Sequence, residues 1–241
     1  MLIEKNYKGF SIYSYSERYI KLGEEIIDKK YDIVKKLKDT KRNYVAEIKL
    51  EDKNYILKEP RNEYIIPQRK IMTLVKKGEA LTTLININNA IYSQNINEYA
   101  EPFLVICKRK KGMIIYSSII MEKISGIISS DDDKKDIMVE LMKKIHKKGF
   151  YHGDFNPSNF IFSDKGIKII DTQGKKMFFG KYRAHFDMLT MKWDSYQNMK
   201  YPYKKDIYYY LAVFIKKIKK IPIIEKLKLK KKNLREKGWK I

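Results

Sequence analysis

Short apolar runs with strand character occupy the first half of the chain. Residues 44–50 and 54–59 are two β-rich runs separated by Glu51-Asp52-Lys53. Residues 103–107 and 113–121 form a second such pair around the turn Lys108-Arg109-Lys110-Lys111-Gly112. Between the pairs, residues 74–81 have a pattern compatible with a helix, and Glu122-Lys123-Ile124-Ser125-Gly126 reads as a connector. Residues 137–146 carry a helical period that stops at Lys147-Lys148-Gly149. Residues 159–162 and 167–170 predict a hairpin around Ser163-Asp164-Lys165-Gly166. A basic helical segment follows at 208–220, with Tyr208, Leu211, Ala212 and Ile215 on one side and lysines beyond. The period over residues 1–30 is weak, and suggests no more than an extra strand and helix packed through Ile12, Tyr13 and Tyr15.

Chemistry concentrates in one stretch, His152-Gly153-Asp154-Phe155-Asn156-Pro157-Ser158-Asn159, and in Asp171 beyond the hairpin. Phosphoryl transfer from ATP needs a carboxylate to orient the acceptor hydroxyl and take its proton. It also needs an amide oxygen and a second carboxylate to hold magnesium, Mg²⁺, against the phosphates. Asp154, Asn159 and Asp171 supply that set, and Pro157 stiffens the loop by fixing its φ. A lone Asp or Asn in a turn ordinarily serves the backbone, so the context has to decide. The string Ile145-His146-Lys147-Lys148-Gly149-Phe150-Tyr151-His152-Gly153-Asp154 resembles the passage from helix to catalytic loop in the protein kinase-like superfamily.

That resemblance implies an α+β, two-lobed fold with a small β-rich N-lobe at about 1–121, a hinge at about 122–126 and a mainly helical C-lobe at about 127–241. It also implies a strand lysine for the ATP phosphates and a helix glutamate to pair with it. Lys58, near the end of the third strand of such a lobe, and Glu79, 21 positions on, take those roles, with Glu63 as the competing carboxylate. The adenine would lie along the backbone of Glu122 to Ile124. Residues 38–43 contain no glycine, so a phosphate-covering turn there would rely on backbone amides and on Lys41 and Arg42.

Three departures point away from a protein substrate. The covering turn lacks glycine, Gly153 stands where protein kinases carry a phosphate-reading arginine, and Asp171-Thr172-Gln173-Gly174 replaces Asp-Phe-Gly with no Ala-Pro-Glu element after it. Lys77-Gly78-Glu79-Ala80-Leu81, the 152–159 loop and Ile169-Ile170-Asp171-Thr172-Gln173-Gly174-Lys175-Lys176 together resemble the lipopolysaccharide core heptose (II) kinase family, over roughly residues 30–195. The resemblance implies ATP-dependent phosphorylation of a heptose hydroxyl on a lipopolysaccharide or lipooligosaccharide core acceptor. The alternatives are an atypical RNA-associated kinase, another small-molecule kinase, or a non-catalytic pseudokinase. The presence of Lys58, Asp154, Asn159 and Asp171 argues against the last.

The 241 residues, 44% hydrophobic, suffice for one two-lobed domain. A single cysteine, Cys107, rules out an internal disulfide. The charged start Met1-Leu2-Ile3-Glu4-Lys5 and the shortness of later apolar runs predict a cytoplasmic protein. The net charge of +23 is uneven: residues 204–241 hold 14 Lys and Arg against three acids. Such a tail suits an anionic membrane surface or, as the rival partner, nucleic acid. The abundance of lysine throughout the chain can also reflect composition alone. The strongly basic balance argues against a cationic acceptor such as an aminoglycoside.

Overall fold

A computed structural model describes residues 1–219 and divides into two units, Met1–Ile124 and the chain from Ser125 onward. The first unit contains β1 (Ile3–Tyr7), β2 (Phe10–Ser14), α1 (Glu17–Ile27), β3 (Asp32–Asp39), β4 (Tyr44–Leu50), β5 (Lys53–Glu59), α2 (Asn62–Ile65), α3 (Pro67–Met72), α4 (Glu79–Gln94), β6 (Pro102–Lys110) and β7 (Met113–Glu122). Its seven strands form one antiparallel sheet in the order β1-β2-β6-β7-β5-β4-β3. The mixed α+β class is the one expected from the sequence.

Two-residue alternation gives this sheet two apolar faces. On one, Ala46, Ile48, Tyr55, Leu57, Leu104 and Ile120 pack with Ile20, Leu22 and Ile26 of α1. On the other, Val105 and Ile119 pack with Ala80, Leu81 and Leu84 of α4. Burial of each of these Val, Leu and Ile side chains stabilises the unit by roughly 1.5–3 kcal/mol. The first 30 residues form two strands and a helix rather than one of each. Ile12 is fully buried and Tyr13 half-buried, whereas Tyr15 is exposed and lies outside the packing expected of it.

The predicted helix over 74–81 is also corrected. Residues 74–78 are irregular, and α4 begins at Glu79 because Gly78 adopts φ +95°. A Cβ at Gly78 would lie 2.5 Å from Ile114 Cδ1 and 3.0 Å from Glu63 Oε1, so glycine is required here for both conformation and space.

In the second unit the elements are α5 (Asp132–Lys147), β8 (Phe150–Tyr151), a 3₁₀ turn (Pro157–Asn159), β9 (Phe160–Ser163), β10 (Gly166–Ile169), β11 (Lys175–Lys176), α6 (Tyr182–Asp194) and α7 (Ile207–Lys219). Helix α5 starts before the predicted 137, with Asp132 and Asp133 in its first turn and Lys144 and Lys147 in its last, as the helix dipole favours. Its buried stripe is Met138, Leu141, Met142 and Ile145. Strands β9 and β10 close as the expected hairpin, pairing Ser163 with Gly166 across Asp164-Lys165.

Helix α7 packs on α6 through Ala212 and Lys216, whose Nζ donates to Thr190 Oγ1 at 3.1 Å and Asp194 Oδ2 at 3.1 Å. The side bearing Tyr208, Leu211, Ala212 and Ile215, read from the sequence as a membrane-facing side, has Ala212 fully buried and the other three half-buried. The rest of the basic tail, residues 220–241, lies outside the described residues.

Candidate functional site

The short strand β8 carries the chain out of α5 and pairs with β11, Tyr151 opposite Lys175 and Phe150 opposite Lys176. The residues that follow are held by a buried carboxylate. Asp187, on α6 and 1% exposed, accepts the His152 N–H at 2.7 Å on Oδ2 and the Gly153 N–H at 2.9 Å on Oδ1. His146 Nε2 meets the same Oδ2 at 3.2 Å, and His146 Nδ1 meets the Tyr203 hydroxyl at 2.7 Å. The Asp154 N–H donates to His152 Nδ1 at 3.2 Å, which leaves the proton of neutral His152 on Nε2. Burial pushes the His152 pKa below the usual imidazole value.

Asp154 is exposed at the loop crest, while Asn159 is buried. The Asn159 Nδ2 group donates to the Asp154 carbonyl at 2.9 Å, which directs Asn159 Oδ1 the other way. The Asn159 carbonyl in turn accepts the Ile170 N–H at 2.9 Å. Asp171 therefore follows directly on a residue bonded to the loop, and it stands at φ +54°. A left-handed aspartate costs roughly 1–3 kcal/mol and persists where its surroundings impose it. Behind it, Thr172 is buried and its hydroxyl donates to the His152 carbonyl at 3.3 Å. Asp154, Asn159 and Asp171 thus share one hydrogen-bonded frame within the second unit. An amide oxygen and a carboxylate are the hard donors magnesium prefers, completed by water and substrate phosphates rather than by a full protein cage.

In the first unit, Lys58 lies near the end of β5, the fifth strand in chain order because β1 and β2 precede the expected set. Its register partners are Val45 and Ile119. Directly opposed residues in an antiparallel pair share a face, and Ile119 packs against Ala80 of α4. Lys58 and the start of α4 therefore belong to the same face of the sheet, and Glu79 is the first residue of that helix. The competing carboxylate serves the backbone instead, since Glu63 is buried and accepts the Glu79 N–H at 2.5 Å. Burial raises its pKa above the usual carboxylate value.

At the end of β7, the Glu122 N–H donates to the Glu101 carbonyl at 2.8 Å, and Ile124 is the last residue of the unit. Lys123 between them pairs with Glu47 at 2.7 Å, which holds the Glu47 carboxyl below its usual range. The glycine-free turn differs from expectation. The Arg42 and Asn43 amides donate to Thr40 Oγ1 at 3.3 and 3.1 Å, and the Thr40 amide to the Asn43 carbonyl at 2.9 Å. The turn's own hydroxyl thus engages those amides, and the exposed side chains of Lys41 and Arg42 carry its charge.

Asp187, His146 and Thr172 were not assigned these roles from sequence. Asp187 offered a signal, as a lone acid between Ala184, Met188 and Met191 on the buried face of α6.

The family model described as lipopolysaccharide core biosynthesis protein (WaaY) matches residues 1–230 of this chain. The chain is also 26% identical over 185 residues to the lipopolysaccharide core heptose(II) kinase WaaY of Escherichia coli. That alignment covers 73% of this chain and 79% of the relative.

Proposed function

The chain belongs to the lipopolysaccharide core biosynthesis protein (WaaY) family, and from that membership we propose that it transfers the γ-phosphate of ATP to a heptose hydroxyl of the lipopolysaccharide inner core. The observation that carries this reading is the loop anchored by Asp187, with Asp154 at its crest, Asn159 clamped to the Asp154 carbonyl, and Asp171 next to Ile170, whose amide donates to the Asn159 carbonyl. In this reading Asp154 orients the acceptor hydroxyl and takes its proton. Asn159 and Asp171 hold Mg²⁺, which when bound neutralises the phosphate oxygens.

Lys58, steadied by Glu79, holds the α- and β-phosphates. Because the Glu122 amide already donates to Glu101, the adenine edge is assigned to the Glu122 carbonyl and the Ile124 amide. The transition state is loose, so positioning and charge neutralisation supply most of the acceleration. Gly153 in place of an arginine, and the lack of an Ala-Pro-Glu element, support an acceptor other than protein. The work would be done at the cytoplasmic face of the inner membrane, where such acceptors are displayed. Among the described residues no helix is long and apolar enough to cross a membrane.

The test is transfer of labelled γ-phosphate to core-dephosphorylated lipooligosaccharide, with bulk tRNA and a generic protein as parallel acceptors. Label on the glycolipid alone, abolished by Asp154→Ala, is the expected result. Label on RNA or protein without label on glycolipid would discard the heptose assignment.

A further inference from the structure

Helix α7 is mostly apolar, reading Ile-Tyr-Tyr-Tyr-Leu-Ala-Val-Phe-Ile-Lys-Lys-Ile-Lys. A helix that is hydrophobic all round is normally covered all round, yet full burial is confined to the side with Ala212 and Lys216. Away from that side, Ile207, Tyr210 and Phe214 follow the i, i+3, i+7 spacing of one stripe and are 77, 62 and 60% exposed. The loop before α6 adds Phe178 and Phe179, 93 and 67% exposed. Loop and helix are neighbours: the Phe179 ring meets the Tyr208 ring edge-on at 6.3 Å, and a Cβ on Gly180 would come within 2.2 Å of that tyrosine. Three large apolar side chains on one helix stripe, and two more on the loop that meets the same helix at Tyr208, exceed the singly scattered surface hydrophobes of an ordinary soluble domain.

Charge indicates what covers them. Between residues 175 and 218 the chain has ten Lys and Arg against three Asp. Each of the three acids is engaged inside the unit, Asp187 by His152 and Gly153, Asp194 by Lys216 and Asp206 by His185. Lys175, Lys176, Lys181, Lys204, Lys205 and Lys217 are all exposed. Aromatic and aliphatic groups flanked by lysines match the interface of an anionic bilayer. Rings settle there at headgroup depth, and each nearby lysine adds about 1 kcal/mol.

We propose that the exposed stripe of α7 and the Phe178-Phe179 loop seat this protein on an anionic phospholipid surface. The purpose of such seating, access to a lipid-borne acceptor, rests on the kinase reading above; its place in the fold does not.

The test uses the full chain and extruded vesicles of phosphatidylcholine, with and without phosphatidylglycerol, read by co-sedimentation. The wild type is expected to bind the anionic vesicles in preference. Phe178→Ser with Phe179→Ser, and separately Tyr210→Ser with Phe214→Ser, should each lower the partition coefficient at least about tenfold. Lys204→Glu with Lys205→Glu should lower it too and flatten its salt dependence. All three variants should keep the wild-type Tm and, on detergent-dispersed acceptor, wild-type transfer.

Wild-type partition by both aromatic pairs would overturn the proposal, as would equal binding to neutral vesicles. So would a wild-type dimer that the aromatic pairs convert to monomer without change in vesicle binding, since the surface would then belong to a second copy of the chain. Vesicle binding that depends on the aromatic residues, with no transfer to any acceptor, would support the seating while overturning the kinase reading.

Discussion

Asp154 and Asp171 can be separated experimentally from the residues that hold them. Asp154→Ala removes an exposed side chain, and Asp171→Asn keeps a residue type that tolerates φ +54°. Both should lower kcat on the order of 10³-fold, comparable to removal of one key transition-state contact, with Tm unchanged in a thermal melt. Asp187→Ala should behave differently, because it leaves the buried His152 amide, and the Gly153 amide beside it, without their acceptor. A loss of about 3 kcal/mol in urea unfolding is expected, together with loss of activity. Asp154, Asn159 and Asp171 were proposed from the sequence because the chemistry confines them to one short stretch. Asp187 was not, since its bond to His152 spans 35 residues and arises from helix packing rather than local spacing. Two histidines set a pH limit. Burial lowers the pKa of His152 and of His185, so the unfolded chain binds their protons first as pH falls below about 6.5. Their contribution to stability is complete above that value and is lost as pH drops toward the folded pKa values. Urea midpoints at pH 7.5 and 5.5 should show this fall, and His185→Gln should reduce its slope.

At the scale of elements, the strands around Lys58 could be read as nearly continuous β-rich apolar runs because both faces of the sheet are covered, by α1 and α4. Strand β1 gave a weak signal for the opposite reason. It lies at the sheet edge with Glu4, Lys5 and Asn6 exposed. The start of α4 was misplaced because Leu74-Val75-Lys76-Lys77 suits a helix locally. The break is imposed by Gly78 in a left-handed conformation and by Glu63 receiving the Glu79 amide, a contact 16 residues long. Gly78→Ala should therefore cost roughly 1–3 kcal/mol in denaturant unfolding. It should also lower kcat, because the added Cβ meets Ile114 and Glu63 and displaces the first turn that carries Glu79. A variant with unchanged stability and unchanged kcat would show that the helix start is not fixed in this way. In the hairpin β9–β10 the turn residues alone sufficed, and only the strand ends moved by one position.

Across the whole molecule, the charge of +23 was visible at once, whereas its relation to apolar surface was not. The side of α7 that looked membrane-facing in a helical projection packs against α6, and the exposed stripe lies elsewhere on the helix. Single-sign charge of this size should make KM for an anionic glycolipid acceptor rise steeply with added salt. Steady-state kinetics at low and high ionic strength would check this, with KM for ATP expected to move less because Mg²⁺ neutralises much of its charge. Residue-level chemistry and the Asp187 anchor support the proposed phosphoryl transfer, and the family assignment supports the proposed core-sugar acceptor. The most direct measurement is single-turnover transfer from ATP and Mg²⁺ to core-dephosphorylated lipooligosaccharide by the wild type and by folded Asp171→Asn, with the phosphorylated position located by mass spectrometry. Phosphate on a heptose with wild type, and transfer slowed on the order of 10³-fold in the variant, is the predicted result. Near-wild-type transfer by folded Asp171→Asn, or phosphate on any group other than heptose, would contradict it.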